Sequence, residues 1–395
     1  MFNKQQSDKI NKVPREGILD AIGSTPLICL RRYLGTADVQ LYAKMEAFNP
    51  GGSANDRPAR AMIEDALRSG AIDKNTTIIE STSGNMGIGL AQACCYFGLP
   101  LICVVDPNAQ AQNIAIMEAY GAVIERVTRP LQGAFLKARI ARVLELLNKI
   151  PDAFWPNQYS NIKNPLAHEN GTIQELDEAL NGEIDYLFVA TSSTSTARGC
   201  RDYLKKRGRH TKVIAVDAEG SVLFGGLAGR RRIPGLGTGH VSALAAGQEF
   251  DDLKRVSDLD CVVGCRRGVK YEAILVGGSA GGVLEAIRSM IPELRTKVCA
   301  AILHDSGTRY LDTIYSDQWV ERELGCSAEE LKTRIEQPSR VGTKTVQRNP
   351  RFASELNGIG DGENKGLMAP IQIGQRAVDV SARSHLNRNQ QADSV

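Results

Sequence analysis

Short apolar runs of strand length recur along the chain, at residues 41–48, 77–81, 101–106, 122–127, 186–191, 213–217 and 298–305. Between them stand segments with apolar positions at helical spacing, at 57–68, 85–97, 113–120, 134–148, 196–206 and 281–290. A near-continuous apolar strand has no polar side to show to water, so strands of this kind alternating with helices predict parallel sheets covered on both faces. The expected fold class is α/β with two doubly wound domains. Ligands of such sheets sit at the carboxyl ends of strands, which makes the strand-to-helix turns the place to look for chemistry. After residue 331 the pattern lapses into Asn, Gln, Arg, Ser and Gly, with ten basic against six acidic residues. Residues 331–395 are read as a flexible, solvated extension.

The 395 residues accommodate two domains, and 42% hydrophobic content supplies a core for each. No apolar run approaches the ~20 residues that cross a bilayer. The first twenty residues lack the apolar centre of a secretory signal. A net charge of +3, from 48 basic and 45 acidic residues, is too balanced for a nucleic-acid footprint. We therefore expect a cytoplasmic protein with neither a membrane nor a nucleic-acid partner. The nine cysteines are odd in number and sit mostly in apolar stretches, so they read as reduced core residues. Cys261 and Cys265 have no second ligand pair nearby, and His168, His210, His240, His304 and His385 are scattered, so no metal site is expected.

Four strand-to-helix turns are rich in small and hydroxyl residues. The first runs Asn49-Pro50-Gly51-Gly52-Ser53-Ala54-Asn55-Asp56-Arg57, and the second Ser81-Thr82-Ser83-Gly84-Asn85-Met86-Gly87. The third, Thr191-Ser192-Ser193-Thr194-Ser195-Thr196-Ala197, has hydroxyl residues in succession opening a helix, a pattern suited to a phosphate. The fourth is Gly277-Gly278-Ser279-Ala280-Gly281-Gly282. Any one of these also simply closes a helix onto a sheet. Four in this order are far more specific.

The ordered set resembles the fold type II pyridoxal phosphate (PLP) enzymes, the cysteine synthase and cystathionine β-synthase family, over roughly residues 15–325. The stretches IESTSGNMGIGLA, VDPNAQAQNIAIMEAYGA, FWPNQYSNIKNPLAH and RYLDTIYSDQW resemble its N-(2-amino-2-carboxyethyl)-L-glutamate synthase branch, which makes 2,3-diaminopropionate precursors for siderophores and antibiotics. The resemblance implies the tryptophan synthase β-like architecture. Residues 1–46 and 161–330 would form a larger PLP-binding domain and 47–160 a smaller α/β domain, in a two-fold homodimer. It implies PLP contacts from Asn85, from Ser193, Thr194, Ser195, Thr196 and Ala197 at the phosphate, and from Ser279 at the ring nitrogen. It implies a substrate-carboxylate site at Ser81, Thr82, Ser83, Met86 and Gln158. The implied activity is β-replacement on O-phospho-L-serine by the amine of L-glutamate.

The chain departs from the family at the catalytic turn. The Schiff-base lysine is expected two residues after Ser53, and Asn55 stands there. An amide nitrogen neither condenses with an aldehyde nor serves as a general base, so PLP is expected at most noncovalently. The nearest lysine, Lys44, lies on the preceding strand with no spacing that aims it at the site. Ser195 also stands where related loops carry glycine, a strained choice if φ is positive there. A synthase and a catalytically inactive pseudoenzyme, acting as a binding or regulatory partner, both stay open at this point.

Overall fold

The structure, a computed structural model, describes residues 14–36, 38–82 and 84–337. The strands are β1 (Leu27–Cys29), β2 (Gln40–Met45), β3 (Thr77–Ser81), β4 (Leu101–Val105), β5 (Val123–Arg126), β6 (Ala153–Phe154), β7 (Tyr186–Ala190), β8 (Lys212–Ala218), β9 (Asp252–Val256) and β10 (Val298–Leu303). The helices are α1 (Asp56–Arg68), α2 (Asn85–Phe97), α3 (Ala111–Ala119), α4 (Phe135–Lys149), α5 (Lys163–Ala167), α6 (Ile173–Ala179), α7 (Ser195–Lys206), α8 (Asp258–Glu272), α9 (Gly278–Ser289), α10 (Ile291–Leu294), α11 (Asp317–Leu324) and α12 (Ala328–Glu336).

The strands make two sheets. One has the order β1-β2-β10-β7-β8-β9 and the other β5-β4-β3-β6. Every pairing is parallel except β1 with β2. The six-stranded sheet buries Phe188, Val216 and Leu303 against Val262 of α8 and Leu284 of α9. Its other face packs Leu187, Val189 and Ile302 on Cys200 and Leu204 of α7. The four-stranded sheet likewise sets Ile78 and Cys103 against α1 and α2, and Ile79 and Val104 against Val143 and Leu146 of α4. Both sheets are covered on both faces, the α/β arrangement that the apolar strands predict. Among the described residues no helix is long and apolar enough to cross a membrane. Cys29 and Cys95 are exposed, and the other seven cysteines are buried and free.

Several elements escape the hydrophobic pattern. β1 and β6 are too short to show a period, and β9 is an edge strand of mixed polarity, DLKRV. Helix α8 does announce itself through a capping box, Ser257 with Asp260. The run at 41–48 stops being a strand at Met45, and Glu46–Phe48 turns as a 3-10 helix. Regular structure also passes the expected start of the extension at residue 331. Ser327 caps α12, Leu331 is buried, and the helix runs to Glu336. From residue 338 the expected extension lies outside the described residues.

A buried ion cluster pins the start of α1. Arg57 donates to Glu46 through Nε at 2.7 Å and Nη2 at 2.8 Å, and to Glu175 of α6 through Nη1 at 2.6 Å and Nη2 at 2.9 Å. Lys44 of β2 reaches Glu175 at 2.6 Å and donates to the Thr25 carbonyl at 2.7 Å. Glu46, Arg57 and Lys44 are 0%, 6% and 3% exposed, so water competes little for these charges. Burial works against ionisation of Glu175, but Arg57 and Lys44 prevail and hold its carboxyl at about 2. Glu46 is lowered in the same way, Arg57 again outweighing burial.

Two expected outcomes follow from packing and charge. A Cβ on Gly264 of α8 would press into the Gly281 carbonyl of α9, and one on Gly281 into the Cys261 carbonyl. Gly264→Ala should therefore force the helices apart and cost about 1–3 kcal/mol in urea denaturation. For the ion cluster, a depressed folded pKa means stability that is present above the ordinary value of 4.5 and lost as pH falls toward about 2. Denaturation midpoints should fall across that window, and Glu175→Gln should be less stable at neutral pH with a shallower fall.

Candidate active site

The four turns meet around a cavity of about 390 Å³. Asn55 lines it from the first turn, and Thr82, Asn85 and Met86 from the second, with Gln158 beside them. Ser193, Thr194, Ser195 and Thr196 line it from the third turn and Ser279 from the fourth. Two expected residues stand elsewhere. Ser81 is wholly buried as the last residue of β3, and Ala197 is wholly buried in the apolar layer beneath α7. Neither is among the lining residues, because strand and helix geometry turn those side chains inward. Ser83 lies outside the described residues.

The first turn is held from below. Gly51 N–H donates to Asp56 Oδ2 at 2.5 Å, Ser53 Oγ contacts Asp56 Oδ1 at 3.4 Å, and Asn55 N–H donates to Ser53 Oγ at 3.3 Å. Burial pushes the Asp56 carboxyl up to about 7, against these donors and Arg309. Ala54 N–H donates to the His304 carbonyl at 2.8 Å, tying the turn to the end of β10. Asn55 is the N-cap residue of α1, with φ −73° and ψ −12°, and its side chain makes no capping bond. It is half-buried at the cavity wall. Lys44 points away into the ion cluster, and no lysine is among the described residues that line the cavity.

At the second turn both groups of the Asn85 amide are engaged. Nδ2 donates to Asp305 Oδ2 at 2.8 Å, and Oδ1 accepts from Arg309, which also donates to the Gly51 carbonyl. Tyr310 donates to the same Asp305 oxygen at 2.6 Å.

The third turn corrects one expectation. The left-handed residue is Thr194, at φ +70°, while Ser195 begins α7 with ordinary helical geometry. The backbone has already turned one residue earlier, so a glycine at 195 would relieve no strain. Gln248 donates to Thr194 Oγ1 at 2.6 Å, and Ser242 Oγ donates to the Ser193 carbonyl at 3.0 Å, which together offset an unfavourable φ. Ser193 and Ser195 hydroxyls lie 3.0 Å apart. Thr196 Oγ1 meets His168 Nε2 at 3.3 Å, and His168 Nδ1 meets Thr172 at 3.0 Å within a π-helical turn. Burial holds the His168 ring neutral, with its pKa down at about 3. The first N–H groups of the twelve-residue α7 have no partner within the helix and, with these hydroxyls, make an anion cradle.

The fourth turn starts a helix earlier than its pattern suggests, so Ser279 stands in the first turn of α9. Gly235 lies across from it, since a Cβ there would come within 4.0 Å of Ser279 Oγ. Several lining residues were not anticipated: Asp106, Arg139, Tyr159, Arg231, His304 and Tyr310. Asp106 and His304 directly follow the last residues of β4 and β10, so a search of every strand's carboxyl end finds them. Arg139 of α4 and Arg231 carry no such signal. Arg139 Nε pairs with Asp106 at 3.1 Å, both largely buried. Arg231 Nε has no hydrogen-bond partner among the described residues, and burial lowers the pKa of its guanidinium against the pull of Asp217 and Asp258. Among the described residues no side chain reaches either ring nitrogen of His304, whose pKa burial also lowers.

The sequence model described as "Pyridoxal-phosphate dependent enzyme" matches residues 18–305. Among solved structures, a hydrogen sulfide-producing enzyme from Fusobacterium nucleatum is 32% identical with a TM-score of 0.71, covering 75% of this chain and 100% of its own. An O-acetylserine dependent cystathionine beta-synthase from Helicobacter pylori is 30% identical with a TM-score of 0.72, covering 77% and 100%. O-acetyl serine sulfhydrylase isoform 3 from Entamoeba histolytica is 31% identical with a TM-score of 0.72, covering 83% and 98%. With the match spanning all four turns, the chain belongs to the pyridoxal-phosphate dependent enzyme family, in its fold type II, cysteine synthase-like group.

Proposed function

We propose that the cavity holds PLP without a covalent link and takes O-phospho-L-serine as its amino-acid substrate. The amine of L-glutamate would then displace phosphate, as in the formation of 2,3-diaminopropionate precursors. The residues present fit the family's cofactor in part. The hydroxyl turn Ser193–Thr196 at the start of α7 suits its phosphate, and Ser279 and Gly235 both line the same cavity, where its ring would lie. Asn55 offers no amine for a covalent bond. When bound, PLP supplies an electron sink for charge developed at the substrate Cα.

The observation that carries the substrate assignment is Arg139. It brings a guanidinium to the cavity wall, where its Nε pairs with Asp106. An arginine fork suits a planar or tetrahedral oxyanion better than the neutral acetyl ester of an O-acetylserine. Thr82 and Met86, at the start of α2, and Gln158 would orient the α-carboxylate, where the helix N-terminus favours negative charge. In the reaction a Cβ–N bond forms as the Cβ–O bond breaks, phosphate leaves with the electron pair, and the incoming amine loses a proton. Without a base at position 55 this turnover is slower by about 10²–10⁴. The same reading takes the protein as a cytoplasmic homodimer, with residues 1–46 and 161–330 as the larger domain and 47–160 as the smaller.

The lack of a lysine on the described cavity wall supports a second reading, a catalytically inactive family member that binds these ligands and regulates a partner. A wild-type activity assay separates them, and a substitution tests the cofactor site they share. Asn55→Lys with PLP and borohydride should attach the cofactor to residue 55 in the mass spectrum, and the wild type should carry none. A folded Asn55→Lys protein that ignores PLP overturns the cofactor assignment, and β-replacement activity in the wild type overturns the inactive reading. Arg139→Ala should weaken O-phospho-L-serine binding about 10–100-fold by calorimetry and leave O-acetyl-L-serine binding nearly unchanged.

A further inference from the structure

Glu80 precedes the last residue of β3 and is 0% exposed. Its carboxylate receives three N–H groups. Trp155 Nε1 donates to Oε1 at 2.9 Å, Ser81 N–H to Oε1 at 2.9 Å, and Gln158 N–H to Oε2 at 3.2 Å. The segment that brings Trp155 and Gln158 is irregular, since β6 pairs with β3 only through Ala153 and Phe154. Beyond Phe154, Gln158 Nε2 donates to the Ser81 carbonyl at 3.0 Å, and Asn164 donates to the Gln158 carbonyl at 2.8 Å. A carboxylate without water is costly unless its lone pairs are filled. Here two of the three donors come from one loop.

We propose that Glu80 is a positioning residue, the anchor that fixes residues 155–158 against the end of β3 and so sets Gln158 at the cavity. Its consequence for ligands rests on the substrate reading above; the anchor itself does not. The groups facing Glu80 from its surroundings are Arg139 of α4, Cys103 of β4, Tyr159 and, near Tyr159, Asp106. Burial pushes the Glu80 carboxyl up to about 7, against the Trp155, Gln158 and Ser81 donors and Arg139. Once protonated, one oxygen becomes a donor: a proton on Oε2 sets an O–H against the Gln158 N–H, while Oε1 still accepts from Trp155 and Ser81 as a weaker, neutral acceptor. The anchor is therefore complete above about pH 7 and slackens below it. The fold bears the cost, because a raised folded pKa means stability that declines as pH rises from 4.5 to about 7. Positioning and stability pull in opposite directions at this one group.

The chain has two tryptophans, Trp155 and Trp319, so a Trp319→Phe protein leaves Trp155 as the sole indole reporter. Its emission, titrated between about pH 5 and pH 9, should change with a midpoint near 7, and that transition should vanish in Glu80→Gln. Asp56 also stands at about 7 and is present in both proteins, so a transition that survives Glu80→Gln overturns the proposal. Amide exchange at Gln158 should quicken about tenfold in Glu80→Gln while residues 186–190 stay unchanged. Quenching of Trp155 by O-phospho-L-serine should need about tenfold more ligand in Glu80→Gln, and Glu80→Asp should recover part of that loss. If O-phospho-L-serine changes neither protein while the pH transition behaves as described, the substrate reading fails and the anchor stands. If Glu80→Gln does not fold, Trp319→Phe is titrated with and without Asp56→Asn, and a flat curve, or a transition lost with Asp56, overturns the anchor.

Discussion

Arg57 carries one positive charge into a place that water hardly reaches, and three stretches of chain are arranged to meet it. Glu46 comes from the 3-10 turn after β2, Glu175 from α6, and Thr25 from the approach to β1. Removing one partner of such a buried pair typically costs about 3–5 kcal/mol, because the remaining charge is left uncompensated. The constraint reaches the cavity through sequence proximity. Asn55 stands two residues before Arg57, so the anchored guanidinium also fixes where the first helical turn of α1 begins. Lys44 neutralises the second carboxylate of the cluster, which commits its amine to structure.

The rest of the site repeats a single device, a strand that ends, a small-residue turn and a helix whose free N–H groups face the cavity. Where the turn alone is insufficient, deeper groups hold it. His168 stands behind Thr196, Gln248 behind Thr194, and Asp305 behind Asn85. Gly199 shows how tight that backing is, since a Cβ there would press into the Pro165 carbonyl and the Glu169 N–H of the π-helical segment. The hydroxyl turn is thus mounted on a rigid support, which preorganised anion binding requires.

Much of this was legible in the sequence because the information is local. Strands buried on both faces announce themselves as apolar runs, and turns announce themselves by composition. The four turns were found for that reason. What could not be read is what depends on distant partners. Arg139 and Arg231 look like ordinary surface arginines until the fold turns them inward. Glu80, in the middle of an apolar run, gives no hint that an indole 75 positions away will donate to it. Thr194 rather than Ser195 takes the left-handed conformation because Gln248 and Ser242 meet that stretch from across the fold. Composition cannot distinguish two adjacent hydroxyl residues when tertiary contacts decide between them.

The wall position at residue 55 has an ordinary helical backbone and a side chain that caps nothing. Capping of the helix therefore does not depend on its being asparagine. In the genetic code, asparagine and lysine codons share their first two bases. Gain or loss of an amine at this wall is therefore a single-nucleotide event that costs no capping bond. The scaffold and the reactivity of the cavity can evolve on separate clocks, one slow and enforced by buried charge, the other as fast as point mutation.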